Sequence, residues 1–143
     1  MAKVRLPLRP IDLRVLKVVN ADLAAIGSDT LTKGFWALIQ ELKDDSRKLE
    51  ILAGGADTSH DDFFDVCPVS VYVRGRPSRP IWRLKSYDLH RQGLHFRIIY
   101  VYFKATRTII VLAVAPRGWN YDHNDALGQR IASDSDRLAG NFG

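Results

Sequence analysis

Leu94-His-Phe-Arg-Ile-Ile-Tyr-Val-Tyr-Phe-Lys104 and Thr108-Ile-Ile-Val-Leu-Ala-Val-Ala115, separated only by Ala105-Thr-Arg107, decide the fold. Both runs are rich in β-branched and aromatic residues, and the short break between them has the length of a tight hairpin loop. They are apolar on both faces, the pattern of central strands covered on each side. Alternation in the first run sets His95 and Arg97 on one face, with Phe96, Ile98 and Tyr100 on the other.

Upstream, Ile81 to Leu89 reads as a further strand and Val66 to Arg74 is β-rich, with Gly75-Arg-Pro-Ser-Arg-Pro80 as a turn or loop between them. In Ile81-Trp-Arg-Leu-Lys-Ser-Tyr87, Arg83 and Lys85 share a face opposite Trp82 and Leu84. Nearer the N-terminus the apolar period lengthens. Leu13, Leu16, Val19, Leu23 and Ile26 predict a helix over 12–26, capped by Asp12 and ended by Gly27. Ser28-Asp-Thr30 offers a second cap, and Leu31, Phe35, Leu38, Ile39, Leu42, Leu49 and Leu52 predict a second helix, stopped by Gly54-Gly55. Ala56 to Asp62 reads as an exposed loop, and Leu127, Ile131 and Leu138 predict a short last helix over 124–138. The expected fold class is α+β: an N-terminal helical hairpin packed on a small antiparallel sheet, then a short C-terminal helix, as a single domain over 1–143.

The chain has 143 residues, 46% hydrophobic and 26% charged, which excludes a wholly disordered protein. The longest clean apolar run, Ile109 to Ala115, is too short to span a bilayer. The first ten residues carry charges and prolines where a secretory signal is apolar, so no membrane association and a cytoplasmic location are expected. One cysteine, Cys67, excludes an internal disulfide framework and reads as a small core residue.

The net charge of +5 is unevenly distributed. Residues 41–65 carry 3 basic and 8 acidic groups, whereas residues 66–121 carry 10 basic and 1 acidic. Arginine supplies 8 of those 10: Arg74, Arg76, Arg79, Arg83, Arg91, Arg97, Arg107 and Arg117, with Lys85 and Lys104 completing the set. Its planar fork of donors suits phosphate. One reading is a phosphate-backbone or acidic-protein surface; the other is a solvated sheet face paired with the acidic 41–65 segment. If the strands are adjacent, Arg83, Lys85, Arg97 and Arg117 converge on one surface, an arrangement whose mutual repulsion an anion relieves.

Other chemistries find less support. His60-Asp61-Asp62 and Asp122-His123-Asn124-Asp125 lack a second cluster with metal-ligand spacing, so neither a metal nor a cofactor is expected. Gly54-Gly55 lacks the surroundings of a phosphate loop, and Asp44-Asp45 reads as solvated helix surface.

Trp82-Arg-Leu-Lys85, Phe96-Arg-Ile-Ile-Tyr100, Ile109-Ile-Val-Leu-Ala-Val114 and Arg117-Gly-Trp-Asn-Tyr121 together resemble the RelE/ParE toxin superfamily of bacterial toxin–antitoxin modules. The resemblance covers about residues 10–125 in element order. Pro116 stands where many relatives have histidine, and the 53–80 loop is enlarged. In the RelE branch the resemblance implies a metal-independent endoribonuclease that cuts messenger RNA on the ribosome and inhibits translation. A cognate antitoxin would neutralise it in a hetero-oligomer. In the ParE branch it implies a non-enzymatic toxin directed at DNA gyrase. An inactive basic RNA-binding relative is the third possibility.

The ribonuclease reading uses the RNA 2′-hydroxyl as nucleophile, and so needs a base, an acid and cations for the developing charge. Arg97 and Arg117 match the stabilising arginines, Lys85 a cation or base, and Tyr121 a base-stacking or proton-relaying group. Arg83, Arg91 and His95 are the expected RNA-binding residues. His90, His95 and His123 are further acid–base candidates.

Overall fold

The computed structural model describes residues 9–54, 64–68, 81–120 and 124–142. Tyr121, His123, Arg74, Arg76, Arg79 and most of the 53–80 loop lie outside the described residues. The described chain is α+β. It runs β1 (Asp12–Val15), α1 (Val18–Ile26), α2 (Asp29–Lys43), α3 (Ser46–Leu52), β2 (Phe64–Pro68), β3 (Ile81–Ser86), α4 (Tyr87–Arg91), β4 (Phe96–Phe103), β5 (Thr108–Pro116) and α5 (Ala126–Phe142).

The strands form one sheet in the order β1-β5-β4-β3-β2. β1 runs parallel to β5, and the other pairs are antiparallel. The hairpin anticipated at 105–107 joins β4 to β5, with Arg107 in the left-handed region at φ 49°. Its side chain holds the turn in place by donating to the Arg9 carbonyl at 2.7 Å and pairing with Glu50.

Both faces of the sheet are covered, as the two-sided apolar pattern of β4 and β5 requires. Phe96, Ile98, Tyr100, Ile109, Val111 and Val114 meet Val19 and Leu23 of α1, Phe35, Leu38 and Leu42 of α2, and Leu49 and Leu52 of α3. Ile81, Ile99, Val101, Phe103, Ile110, Leu112 and Ala113 meet Ile131 and Leu138 of α5. A bulge adjusts β5 between these two cores. Ile99 faces Ala113 but Tyr100 faces Val111, so Leu112 is an extra residue, and it joins Ala113 on the α5 side. Tyr100 is fully buried and donates its hydroxyl to the Leu52 carbonyl at 2.6 Å, satisfying the end of α3.

The N-terminus departs from the expected helical hairpin. Asp12 lies in a strand and caps no helix, and the sheet is mixed. Leu13 is buried between exposed Asp12 and Arg14, a period of two hidden within the helical spacing. The ladder holds the backbone extended as far as Leu16, whose N–H donates to the Val111 carbonyl at 3.1 Å, so α1 begins only at Val18. α1 packs along β5. Gly27 ends it at φ 73°, and Ser28 caps α2 by accepting from the Leu31 N–H, both as anticipated.

The expected 31–52 helix is broken at Asp44-Asp45. Asp45 is no mere solvated residue: it adopts extended backbone and caps α3 by accepting from the N–H groups of Arg47 and Lys48. Likewise the strand expected over 81–89 stops at Ser86, whose hydroxyl caps α4. The C-terminal helix is long rather than short, at 17 residues. Asp125 starts it by accepting from the Gly128 N–H at 2.7 Å, and its other oxygen accepts from the Trp119 indole at 2.8 Å. No helix among the described residues is long and apolar enough to cross a membrane.

Candidate functional site

The antiparallel ladders bring three strand ends to one edge of the molecule. Leu84 pairs with Ile98, and Phe96 pairs with Pro116. The end of β3, the start of β4 and the end of β5 therefore lie side by side. Continuing the β3–β4 register by one residue sets Lys85 opposite Arg97. Arg97 in turn pairs with Ala115, two residues before Arg117.

Helix α4 and the turn after it add two histidines. Beyond the end of α4 at Arg91, Gly93 is left-handed at φ 82°. The Leu94 N–H donates to the Leu89 carbonyl at 3.0 Å and the Gly93 N–H to the His90 carbonyl at 3.0 Å. This is a Schellman turn, which reverses the chain. His95 thereby returns beside His90, with their Nδ1 atoms 2.7 Å apart. The ring centroids are 4.2 Å apart and the planes meet at 75°. Across this contact one Nδ1 carries the hydrogen and the other offers its lone pair. The bond is therefore lost if both Nδ1 atoms are protonated.

Burial lowers the pKa of His90 from its ordinary imidazole value, and the charges of Lys85, His95, Arg117 and Arg97 lower it further. These four groups act on one ring from β3, the α4–β4 turn, the end of β5 and the start of β4. Lys85, His90, His95 and Arg97 are half-buried and Arg117 is exposed, so the cluster opens to solvent. Among the described residues, no carboxylate pairs with Lys85, Arg97 or Arg117.

The other sequence-named cations are committed elsewhere. Arg83 shares the sheet face of Lys85 but donates to Asp65 of β2 at 2.8 Å. Its charge is balanced there, next to Lys85. Arg91 is turned toward the helical face, where it lines a groove of about 190 Å³ with Glu41, Lys48, Phe64, Ser86 and Asp88. It lies 3.8 Å from Asp88. Of the residues named from sequence, the fold thus gathers Lys85, His90, His95, Arg97 and Arg117, and separates Arg83 and Arg91 from them.

The histidine pairing is the feature that sequence reasoning missed. Its signal was present: Leu89, Gly93 and Leu94 carry the spacing of a helix-ending turn, which folds position 95 back on position 90. Among the described residues there is no group of three or more His, Cys, Asp and Glu side chains able to hold a metal ion. The cluster instead has the makings of an anion site. It presents two arginine forks and an ammonium group, with an imidazole pair able to move a proton. Comparison with known proteins finds no matching family model, curated protein or solved structure.

Proposed function

We propose that the chain is a RelE-like toxin, a metal-independent endoribonuclease that cleaves ribosome-bound messenger RNA in the cytoplasm and is neutralised by a cognate antitoxin. One observation carries the reading: Lys85, Arg97 and Arg117 meet at one end of the sheet around His90, with no described carboxylate paired to them. Such a concentration of unbalanced positive charge repels itself and is relieved by phosphate. The short motifs around Lys85, Arg97 and Arg117 that resemble the RelE/ParE superfamily supply the class of reaction.

In this reading the 2′-hydroxyl attacks the adjacent phosphorus and the bond to the 5′-oxygen breaks. The products are a 2′,3′-cyclic phosphate and a 5′-hydroxyl end. Negative charge grows on the non-bridging oxygens, and Arg97 and Arg117 stabilise it as fixed donors. Lys85 holds the same phosphate as a point charge. The resemblance gives Tyr121, four residues after Arg117 in sequence, a base-stacking or proton-relaying role. The antitoxin is an acidic segment laid over these cations, so its binding weakens with salt.

The test is brief induction in a bacterial host followed by mapping of RNA 5′ ends. Growth arrest with new 5′-hydroxyl ends inside coding regions is the expected result. DNA damage signalling without new RNA ends would assign the chain to the gyrase-directed branch, and unimpeded growth would make it an inactive relative.

A further inference from the structure

We infer that His90 and His95 act together as a proton relay, one ring serving as base and the other as acid of the cleavage step. The inference rests on the ribonuclease reading and assigns the proton transfers that reading leaves open. Its foundation is geometric. The two Nδ1 atoms are 2.7 Å apart, so both Nε2 atoms are left free to meet substrate. The rings are half-buried, beside three cations suited to phosphate.

The proton balance follows from the tautomers. In the neutral pair, the ring that donates its Nδ1–H has a lone pair on Nε2 and is a base. The ring that accepts at Nδ1 carries its hydrogen on Nε2 and is an acid. The basic Nε2 takes the proton of the attacking 2′-hydroxyl. The Nδ1 hydrogen passes to the second ring, and that ring's Nε2 hydrogen goes to the departing 5′-oxygen. One proton enters, one leaves, and neither ring ends charged. The tautomers are exchanged, which prepares the pair for the reverse transfer when water opens the cyclic phosphate.

The relay needs the neutral pair, and the surroundings of His90 favour its neutral form. Lys85 on β3, Arg97 on β4 and Arg117 beyond β5 all disfavour a positive charge on His90, whereas Arg91 on α4 is turned away beside Asp88. Among the described residues, two acidic ones stand near these cations: Asp88 on the same short helix, which is exposed and lies beside Arg91, and Asp65 on β2, opposite Lys85, which is paired with Arg83.

Two measurements on the purified full chain test the inference. Imidazole nitrogen NMR of the free protein should show one Nδ1 protonated and the other accepting from it across a hydrogen bond, and His95→Gln should abolish that bond at His90. Single-turnover cleavage of messenger RNA on programmed ribosomes should fall about 100-fold or more in His90→Gln and in His95→Gln, with binding to those ribosomes retained. The double variant should lose little beyond either single, because the two act as a unit. If the wild type cleaves RNA and either single variant keeps its rate within a few-fold, the relay is wrong and the ribonuclease reading stands. Absence of a hydrogen bond between the two Nδ1 atoms would likewise overturn the relay. If the wild type cleaves no RNA, the ribonuclease reading fails and takes the relay with it.

Discussion

Asp22 on α1 and Arg130 on α5 clasp the bulged end of β5 from its two sides. The ion pair is bidentate, at 2.7 and 2.8 Å, and its partners are largely buried. Asp22 also accepts from the Val114 N–H at 3.0 Å, and Arg130 donates to the Leu112 carbonyl at 3.2 Å. β1 ends at Val15, opposite Val111, so these backbone groups lie beyond its ladder. The two side chains satisfy them, and so close an edge that would otherwise invite another strand.

Asp22→Ala should therefore cost about 2–3 kcal/mol, since it leaves a guanidinium and a backbone N–H without their acceptor. In a chain of this size that corresponds to a fall in Tm of roughly 4–12 °C. Thermal unfolding of the variant checks it; an unchanged Tm would show that the clasp contributes nothing.

Gly34 couples the helical layer to the candidate site. A Cβ at this position in α2 would lie 3.0 Å from Leu94 Cδ1 and 3.3 Å from Leu89 Cδ2. Those two leucines flank the turn that brings His95 back to His90. Gly34→Leu should overpack the contact, destabilise the fold by about 1–3 kcal/mol and disturb the histidine pair. Denaturant unfolding together with imidazole NMR reads both effects.

The lowered pKa of His90 makes stability depend on pH. The folded ring releases its proton more readily than the unfolded one, so between the two pKa values the unfolded chain binds more protons. This contribution is fully present above the unfolded value of about 6.5 and is lost as pH falls through it toward the folded value. Tm should fall between pH 7.5 and 5.5, and the slope should be shallower in His90→Gln. An identical slope in the variant would remove His90 as its source.

Much of this was legible in the sequence. The two-sided apolar runs announced β4 and β5, and Gly27 and Ser28 marked the junction of α1 and α2. What misled was local ambiguity. Leu13 satisfies a helical stripe and a strand alternation equally, and only the distant partner β5 selects the strand. Asp45 and Ser86 lie inside apolar patterns that continue past them, yet their side chains cap the helices that begin there. At the site, alternation correctly set Lys85 and Arg97 on one face. It set Arg83 on that face as well, but not the ion pair that commits it to Asp65, which depends on the register of β2. The histidine pair depends on a turn rather than on periodicity.

The most direct test of the central claim is cleavage of messenger RNA on programmed ribosomes by purified wild-type protein and by the Arg97→Ala/Arg117→Ala double variant. The account predicts cuts with 5′-hydroxyl ends from the wild type and at least a 100-fold slower reaction from a double variant that still unfolds cooperatively. A folded double variant that cleaves at the wild-type rate would contradict it.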